Sequence, residues 1–418
     1  MPDAHDPYAA LRRRDFALLL ASNVLAATSA EVQFTVAEWE IFRRTNSEAM
    51  LGYGGLAQFL PLLLLALPAG QAADWFSRKY LLMLAHFTMA SASFGLALVS
   101  LYDGPVWLIF VFLALAGVSR ALGMPARSSL IPLVVGPGML GNAVTWSVSG
   151  WQVAAVSGPA VGGLLAGTPG MAFCGTIAGL LICIGMVAFI YPRETANSSP
   201  AEGGGSPVEA RSARALLAGI RFVWRTDLLL AAITLDLFAV FLGGSVALLP
   251  AFAKKILDVD EVGFGILRAA PAIGAFVMAM AMAHRRPLAR PGLALLGSVA
   301  LFGFATIGFG LSENVYLSFA MLFLIGAFDN ISVVIRGTLM QMLTPDSMRG
   351  RVAAVNSVFI SSTNQLGAFE SGITAAWLGL VPAVVAGGAG TLVVVVAAAL
   401  WWPRLRRLEP LHELKAES

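Results

Sequence analysis

Long apolar stretches of roughly twenty residues recur along this chain, separated by short clusters of charged or turn-forming residues. The hydrocarbon core of a bilayer is about 30 Å thick, so a helix needs about 20 apolar residues to cross it. Hydrophobic residues make up 58% of the chain and charged residues 12%, which is too little polar surface to cover a soluble protein of this size. The stretches are continuous and lack the alternation of a membrane barrel. The chain is therefore predicted to be an all-α integral membrane protein.

Twelve such stretches can be counted, and a polar segment divides them into two groups of six. They lie near residues 15–42, 49–71, 79–101, 105–123, 140–166, 169–191, 227–252, 262–283, 292–312, 314–337, 352–378 and 381–402. The polar segment, between residues 193 and 214, is rich in Gly, Ser and Pro and cannot build a core. Residues 213–225 carry Arg221, Trp224 and Arg225 among apolar residues, which predicts a short amphipathic helix on the membrane surface.

The distribution of Lys and Arg predicts the orientation. With both termini in the cytoplasm, most basic residues lie on the cytoplasmic side, and the opposite side receives only Arg43, Arg44, Lys254 and Lys255. The basic residues occur in short clusters between apolar runs, so the net charge of +3 reflects topology rather than nucleic-acid binding. The predicted parts are an N-terminal six-helix bundle (1–192), a cytoplasmic linker with the amphipathic helix (193–225), a C-terminal six-helix bundle (226–403) and a cytoplasmic tail (404–418).

One segment of the first half recurs in the second half without a gap. Shifted by 209 positions, residues 127–147 align with residues 336–356. The shift pairs Arg127 with Arg336, Leu130 with Leu339 and Gly141 with Gly350. Seven residues upstream, it places Arg120 on Asp329. Six spans per copy make the two copies parallel, and opposite charges at matching buried positions point to transport rather than catalysis.

Two motifs resemble those of the major facilitator superfamily. The loop Gly70-Gln-Ala-Ala-Asp74-Trp-Phe-Ser-Arg78-Lys79, between the second and third spans, resembles its signature loop. The residues themselves favour a cytoplasmic latch, because Asp74 can face a helix N-terminus, Arg78 or a neighbouring span. The second motif, in the fifth span, resembles that of the superfamily's exporters and comprises Gly158, Pro159, Gly162 and Gly163. Ordinary close helix packing is the alternative explanation for this second motif.

A narrower resemblance is carried by the second half. The segments Asp329 to Arg336, Gln341 to Arg351 and Asn364 to Gly372 are similar to those of the branch that contains enterobactin-type siderophore exporters. The resemblance implies twelve transmembrane helices in two parallel six-helix repeats, the major facilitator fold. It also implies that the first helix of each three-helix unit, which means spans one, four, seven and ten, lines a central cavity.

All four of these helices carry charged residues. Buried charges in membrane spans are costly and mark a pathway or a pair. The candidates for proton coupling or for the substrate cavity are Asp236, Asp329, Glu31, Arg120, Asn330 and, on span two, Gln58. Glu38 and Glu40 are expected to be solvated at the cavity mouth, and Trp146, Trp151 and Gln152 are possible ligand contacts, although such aromatic residues more often pack against helices or lipid.

Asp236 and Asp329 are the carboxylates predicted to titrate. At about 1.5 Å per residue, Asp236 lies near the membrane midplane, and Asp329 lies roughly 10 Å from the inner face. A carboxylate in a low-dielectric interior holds a proton more readily than one in water. The alternatives are a structural hydrogen bond for Asp236 and a fixed pair with Arg336 for Asp329.

Several arginines are predicted to act at the helix ends. Arg127 and Arg336 are expected to follow spans four and ten, where they would cap carbonyl groups or pair with acids of the other half. With Gly70, Asp74, Arg78, Lys79, Arg349 and Arg351, they form the predicted gating set. Arg268 and Glu370 fall near the outer ends of spans eight and eleven and are predicted to form a structural ion pair.

These features favour a secondary active exporter, most simply proton-coupled, that moves small amphipathic molecules by alternating access across a bacterial-type inner membrane. No nucleotide-binding loop occurs, the four histidines are scattered, and no cofactor or metal is expected. The expected partners are a small-molecule substrate, membrane lipid and protons, without nucleic acid, and the protein is expected to be a monomer. The alternatives are a lipid or lysolipid transporter with a largely apolar cavity open to the bilayer, and a membrane-embedded sensor or enzyme.

Overall fold

The computed structural model describes residue 6 and residues 8–191, 213–285, 290–406 and 408. Side chains at a few positions inside these ranges, Asp74 and Arg349 among them, are outside the description, and so are most of the predicted linker and tail. The regular structure of the described residues is helical throughout. This confirms the all-α prediction.

The first six helices follow the predicted order. They are α1 (Arg14–Thr45), α2 (Glu48–Trp75), α3 (Arg78–Leu101), α4 (Trp107–Val135), α5 (Leu140–Leu165) and α6 (Pro169–Ala188). A short 3-10 turn, Pro137–Met139, joins α4 to α5.

The remaining helices are α7 (Ala213–Arg225), α8 (Asp227–Leu242), α9 (Leu249–Lys255), α10 (Glu261–Ala283), α11 (Pro291–Gly310), α12 (Val315–Leu343), α13 (Asp346–Leu378), α14 (Leu380–Trp401) and α15 (Pro403–Arg406). A 3-10 turn, Ser245–Leu248, links α8 to α9. Helix α7 has the bounds expected for the amphipathic helix. It packs on the start of α13, where an added Cβ at Gly219 would lie 3.0 Å from the carbonyl of Arg351.

Ten helical segments in the described residues are long and apolar enough to cross a membrane, and α8 to α9 counts as one of them. Helices α5 and α13 are 26 and 33 residues long, which is enough to span a bilayer, although they are not among the ten. Large aromatic side chains are exposed close to the helix ends, as at Trp75, Tyr102, Trp107, Trp377 and Trp401. Such aromatic residues are typical of membrane–water interfaces.

Three helices extend beyond their predicted limits. Helix α4 continues to Val135 and α12 to Leu343, and α13 begins at Asp346. Helix α4 passes through Pro125 and Pro132, and the hydroxyl of Ser129 donates to the carbonyl of Pro125 at 2.5 Å. Prolines are tolerated inside membrane helices when nearby groups satisfy the freed backbone. The charged residues predicted to follow α4 and α12 therefore lie inside these helices.

The chain forms two compact units. The first comprises Met1–Glu40 and Ala57–Gly203, and the second comprises Ile41–Leu56 and Gly204–Ser418. The segment Ile41–Leu56, which the sequence assigns to the first bundle, thus belongs with the second unit. There, Glu48 forms an ion pair with Lys255 at 2.7 Å, and the rings of Tyr53 and Phe369 lie 5.5 Å apart.

Matching residues of the repeat play matching roles in the two units. Leu130 and Leu339 are each fully buried in the core of their own unit. Gly117 on α4 faces the backbone carbonyl of Gln58 on α2, and Gly326 on α12 faces that of Pro271 on α10. Gly117 and Gly326 are 209 positions apart, and an added Cβ at either would collide with that carbonyl. Close contact between these helix pairs is therefore a shared feature of both units.

Candidate functional site

The N-terminal unit contains a cavity of about 370 Å³ that is lined by residues from all six of its helices. This volume is in the range of small-molecule sites. Alanines, Phe34, Met89, Met124 and Trp151 form much of the wall. The polar and charged side chains that line it are Glu31, Gln58, His86, Ser119, Arg120 and Arg127. The predicted cavity candidates Glu31, Arg120 and Gln58 are therefore brought together, and Trp151 joins them.

Two arginines of α4 line this cavity from one face of the helix. Arg120 and Arg127 are seven residues apart, or about two turns, with Gly123 between them. Nη1 of Arg120 donates to Oε1 of Gln58 at 3.0 Å. Nε of Arg127 is buried and makes no hydrogen bond to any described residue. The described residues give neither arginine an ion pair. The placement of Arg127 beyond the end of span four was wrong, because α4 continues to Val135 and Arg127 lies inside it, facing the cavity.

Glu31 is the one acidic residue among the described residues that line this cavity. It lies on α1 against Gly158 of α5, where an added Cβ would collide with the Glu31 side chain and approach the carbonyl of Thr28 at 3.2 Å. One turn later, an added Cβ at Gly162 would lie 3.0 Å from Thr35. These glycines, with the buried Pro159 and Gly163, hold α5 close to α1. The exporter-like motif thus packs the helix that carries Glu31.

His86 is the cavity residue that the sequence did not single out. It lies in the middle of α3 and is only 4% exposed. Neither of its ring nitrogens has a hydrogen-bond partner among the described residues. Buried polar groups in folded proteins nearly always have a partner, so an isolated one calls for an explanation. The signal in the sequence was a single imidazole within an otherwise apolar span.

In the C-terminal unit, two buried side chains of opposite charge form an ion pair. Arg336 is 4% exposed inside α12 and forms an ion pair with Asp236 of α8. The hydroxyl of Ser332 donates to the other carboxylate oxygen of Asp236 at 3.3 Å. The partner of Arg336 is thus Asp236 and not Asp329, and Arg336 lies within the helix rather than after it. The pair anchors α8 to α12.

Asp329 lies on the same face of α12, three residues before Ser332 and seven before Arg336. Asp236, Asp329 and Ser332 line one void of about 10 Å³, which is close to the room needed for a single water molecule. The next residue, Asn330, has a buried side-chain oxygen without a partner in the described part of the chain. The two predicted carboxylates therefore face a common space.

The residues of the predicted gating set are divided among different contacts. Lys79 caps the C-terminal end of α6, donating to the carbonyls of Ala188 and Ile190 at 2.6 and 2.8 Å. Gly70 lies near the end of α2, and Arg78 is the first residue of α3. Nη1 of Arg351 lies 3.4 Å from the sulfur of Met348 within α13. The side chains of Asp74 and Arg349 are outside the description.

Further predicted contacts are placed as follows. Arg268 donates to the carbonyl of Val246 at 3.1 Å, and Glu370 accepts from the hydroxyl of Thr374 at 2.7 Å. Among the described residues, the side-chain partner of Glu370 is therefore Thr374 rather than Arg268. Glu38 and Glu40, expected to be solvated, are 5% and 1% exposed. That expectation was wrong because the C-terminal part of α1 is buried within the protein.

A family model described as transmembrane secretion effector matches residues 5–416, nearly the whole chain. The chain belongs to this family of the major facilitator superfamily. It is 30% identical over 362 residues to the enterobactin exporter EntS of Shigella boydii serotype 18, covering 84% of this chain and 82% of the relative. The corresponding exporter of Escherichia coli O139:H28 is 29% identical over 361 residues, with the same coverage.

Solved transporters have the same fold at low identity. A bacterial homologue of the human lysosomal transporter Spinster, in an inward-facing and unoccupied conformation, superimposes with a TM-score of 0.73 and 17% identity, covering 97% of this chain and 98% of that one. A D-xylose-proton symporter superimposes with a TM-score of 0.68 and 12% identity, covering 97% and 100%. The family match and the exporter relatives show that this member of the major facilitator superfamily is a multi-pass membrane transporter and not an enzyme.

Proposed function

We propose that this transporter is a secondary active exporter that moves small amphipathic molecules out of the cell across the inner membrane. The observation that carries the proposal is the cavity of the N-terminal unit, in which an apolar wall holds Glu31, Arg120 and Arg127. Such a lining suits molecules that have both apolar and charged parts. The 30% identity to an enterobactin exporter supports export as the direction.

The proposed architecture is the twelve-helix major facilitator arrangement with two parallel repeats. The ten apolar segments together with α5 and α13 supply the twelve spans. The distribution of Lys and Arg supports placing both termini in the cytoplasm. Transport would occur by alternating access, with the two repeats exposing the cavity to each side in turn. The transporter would act as a monomer.

Proton coupling is proposed to occur at Asp329. Arg336 forms a direct ion pair with Asp236, so the charges of these two groups balance one another. Asp329 faces the same void without an ion-pair partner among the described residues. Two carboxylates beside one guanidinium leave one excess negative charge, and a proton on Asp329 removes it. Asp236 is therefore proposed to be a fixed structural acid.

Gating is proposed to involve the cytoplasmic ends of the helices. Lys79 links the start of α3 to the end of α6, and this contact supports a role in holding the N-terminal unit together as a rigid body. Gly70, Asp74, Arg78, Arg349 and Arg351 remain proposed members of the gate. Arg127 and Arg336 act inside their units, through the cavity and the ion pair respectively.

The two alternatives receive less support. A lipid or lysolipid transporter is expected to have a largely apolar cavity, whereas this cavity is lined by three charged side chains. A membrane-embedded enzyme or sensor does not fit the family, since the relatives named above are exporters.

The proposal is tested with purified protein in liposomes whose lumen is more acidic than the outside. Because a proton leaving the lumen would drive substrate inward, added enterobactin is expected to accumulate, and a protonophore should abolish the accumulation. Enterobactin is the first substrate to try because the named relatives export it. A panel of amphipathic acids, bases and neutral molecules would follow. If no compound accumulates in response to the gradient, proton-driven export is excluded.

The coupling residue is tested by Asp329→Asn. This variant should lose gradient-driven accumulation but keep substrate exchange at equal pH, because exchange needs no net proton movement. Asp258→Asn is the matched control, since Asp258 is exposed in the turn before α10 and has a φ of 47°, which Asn also tolerates. Normal gradient-driven accumulation by Asp329→Asn would assign coupling to another group.

A further inference from the structure

We propose that the cavity of the N-terminal unit is an anion-binding site, in which Arg127, Arg120 and His86 hold an acidic group of the substrate. The site would take a carboxylate or another anionic oxygen group carried on an apolar, preferably aromatic, body. This inference deepens the proposed export function by naming the substrate class.

The charged side chains that line the cavity favour an anionic ligand. Arg120 and Arg127 contribute two positive charges and Glu31 contributes one negative charge, so the described lining has a net charge of +1. Both guanidinium groups line this one cavity, where a low dielectric makes the repulsion between like charges stronger than it is in water. A bound anion would relieve this repulsion and would exchange a costly arrangement for charge-assisted hydrogen bonds.

Buried polar groups in the cavity wall also favour an anionic ligand. Nε of Arg127 and both ring nitrogens of His86 are buried and unpartnered in the described structure. The N–H of Arg127 and the protonated ring nitrogen of His86 are donors, and an anionic oxygen of a ligand can accept from both. Arg120 is already oriented by Gln58, so one edge of its guanidinium is held in place. A guanidinium held in this way suits bidentate recognition of a carboxylate.

The apolar wall of the cavity favours a ligand with an aromatic or aliphatic body. Trp151 and Phe34 line the same cavity, and together with Met89 and Met124 they offer a surface for an aromatic or aliphatic body. Because aromatic rings and methionine thioethers adapt to ligands of different shape, the anionic group would define the class of substrate and the wall would tolerate variety. The expected ligand is thus an amphipathic acid.

The test is a binding measurement on the full-length purified transporter, without any gradient. Isothermal titration calorimetry compares 2-naphthoate with its uncharged counterpart 2-naphthamide, which has nearly the same shape. We expect 2-naphthoate to bind at least about tenfold more tightly, the effect of one charge-assisted contact. Equal affinities of the two compounds, or a preference for a naphthyl amine, would overturn the proposal.

Variants then assign the site. Arg127→Gln should reduce the preference for the acid to about threefold or less, whereas Trp151→Leu should weaken both ligands and leave their ratio unchanged. Arg221→Gln is the control, because Arg221 is exposed on α7 outside the cavity. An unchanged preference in a folded Arg127→Gln protein would contradict the assignment.

A variant that is expected to bind the acid more tightly distinguishes an effect at the site from misfolding. Glu31→Gln removes the negative charge from the lining and should tighten 2-naphthoate binding several-fold without affecting 2-naphthamide. A loss of folding cannot produce this result, and unchanged or weaker acid binding would count against the site. Gradient-driven export is measured separately. If the protein prefers the acid but does not export it, only the proposed function is contradicted. If export is unchanged in Arg127→Gln, only this inference is contradicted.

Discussion

Helices α4 and α12 occupy matching places in the repeat, yet their three inward positions carry different chemistry. The positions are Arg120, Gly123 and Arg127 on α4, and Asp329, Ser332 and Arg336 on α12. On α12, the spacing shared by the two repeats serves an ion pair to α8 and a void the size of one water molecule. On α4, two arginines at this spacing line a cavity, and neither forms an ion pair with another described residue. The same scaffold thus holds an ion pair in one unit and a cavity lined by charged side chains in the other.

The acid that makes the difference comes from a neighbouring helix. Asp236 of α8 neutralises Arg336. A shift of 212, which places Arg13 and Asp15 on Arg225 and Asp227, brings Asp236 onto Val24, so the matching position of α1 is apolar. Within the described part of the chain, Arg127 therefore has no acidic partner of the kind that Arg336 has. Its guanidinium lines the cavity instead.

The largest expected effect on stability comes from breaking the ion pair between Asp236 and Arg336. Asp236→Leu leaves Arg336 buried without its partner, and we expect it to lower the free energy of unfolding by about 3–5 kcal/mol. Thermal unfolding of the purified protein measures the loss. Adding Arg336→Met should recover most of it, because an apolar pair of similar volume needs no neutralisation. If the double variant is as unstable as the single one, the pair is not the source of the effect.

The next effect concerns the scaffold that the two units share. Gly117→Val and Gly326→Val each place a side chain against a backbone carbonyl of the adjacent helix, and each should cost about 1–3 kcal/mol. Gly337→Val is the control, since an added Cβ there meets nothing within 4 Å. Helix propensity alone would make all three variants similar. Comparable losses in the two units and little loss at Gly337 would support the shared scaffold, whereas a loss in one unit only would contradict it.

A smaller effect of opposite sign is expected in the N-terminal unit. Arg127→Met removes a cation that has no ion-pair partner in the described structure, so stability should stay equal or rise by up to about 1 kcal/mol. The same melting experiment used for Asp236→Leu measures it. A fall of more than about 2 kcal/mol would show that Arg127 is a structural residue and would remove the contrast between the units.

Much of the architecture could be predicted because apolar length and charge clusters are local signals. The order of the helices and the bounds of α7 are examples. The predicted ends of α4 and α12 lie several residues before the observed ends. Arg127 and Arg336 indicated the start of a loop, because the sequence does not show what surrounds them inside the helix bundle. Whether Arg336 pairs with Asp329, seven residues away, or with Asp236, a hundred residues away, depends on helix packing, which no spacing rule contains. Likewise, a lone His86 becomes meaningful only when six helices enclose it.

The smallest expected effect is at His86, where stability and binding should separate. His86→Leu replaces an imidazole whose two nitrogens lack partners in the described structure, so unfolding should change by less than about 1 kcal/mol, in the stabilising direction. Binding of 2-naphthoate should weaken several-fold, because a hydrogen-bonding group of the cavity is lost. Ser93→Ala, two turns further along α3, is the contrast: its hydroxyl donates to Gln33 at 2.7 Å, so its loss should destabilise by about 1–2 kcal/mol without changing acid binding. If His86→Leu destabilises the protein as much as Ser93→Ala does, the imidazole is part of the structure of α3 rather than a group kept for a ligand.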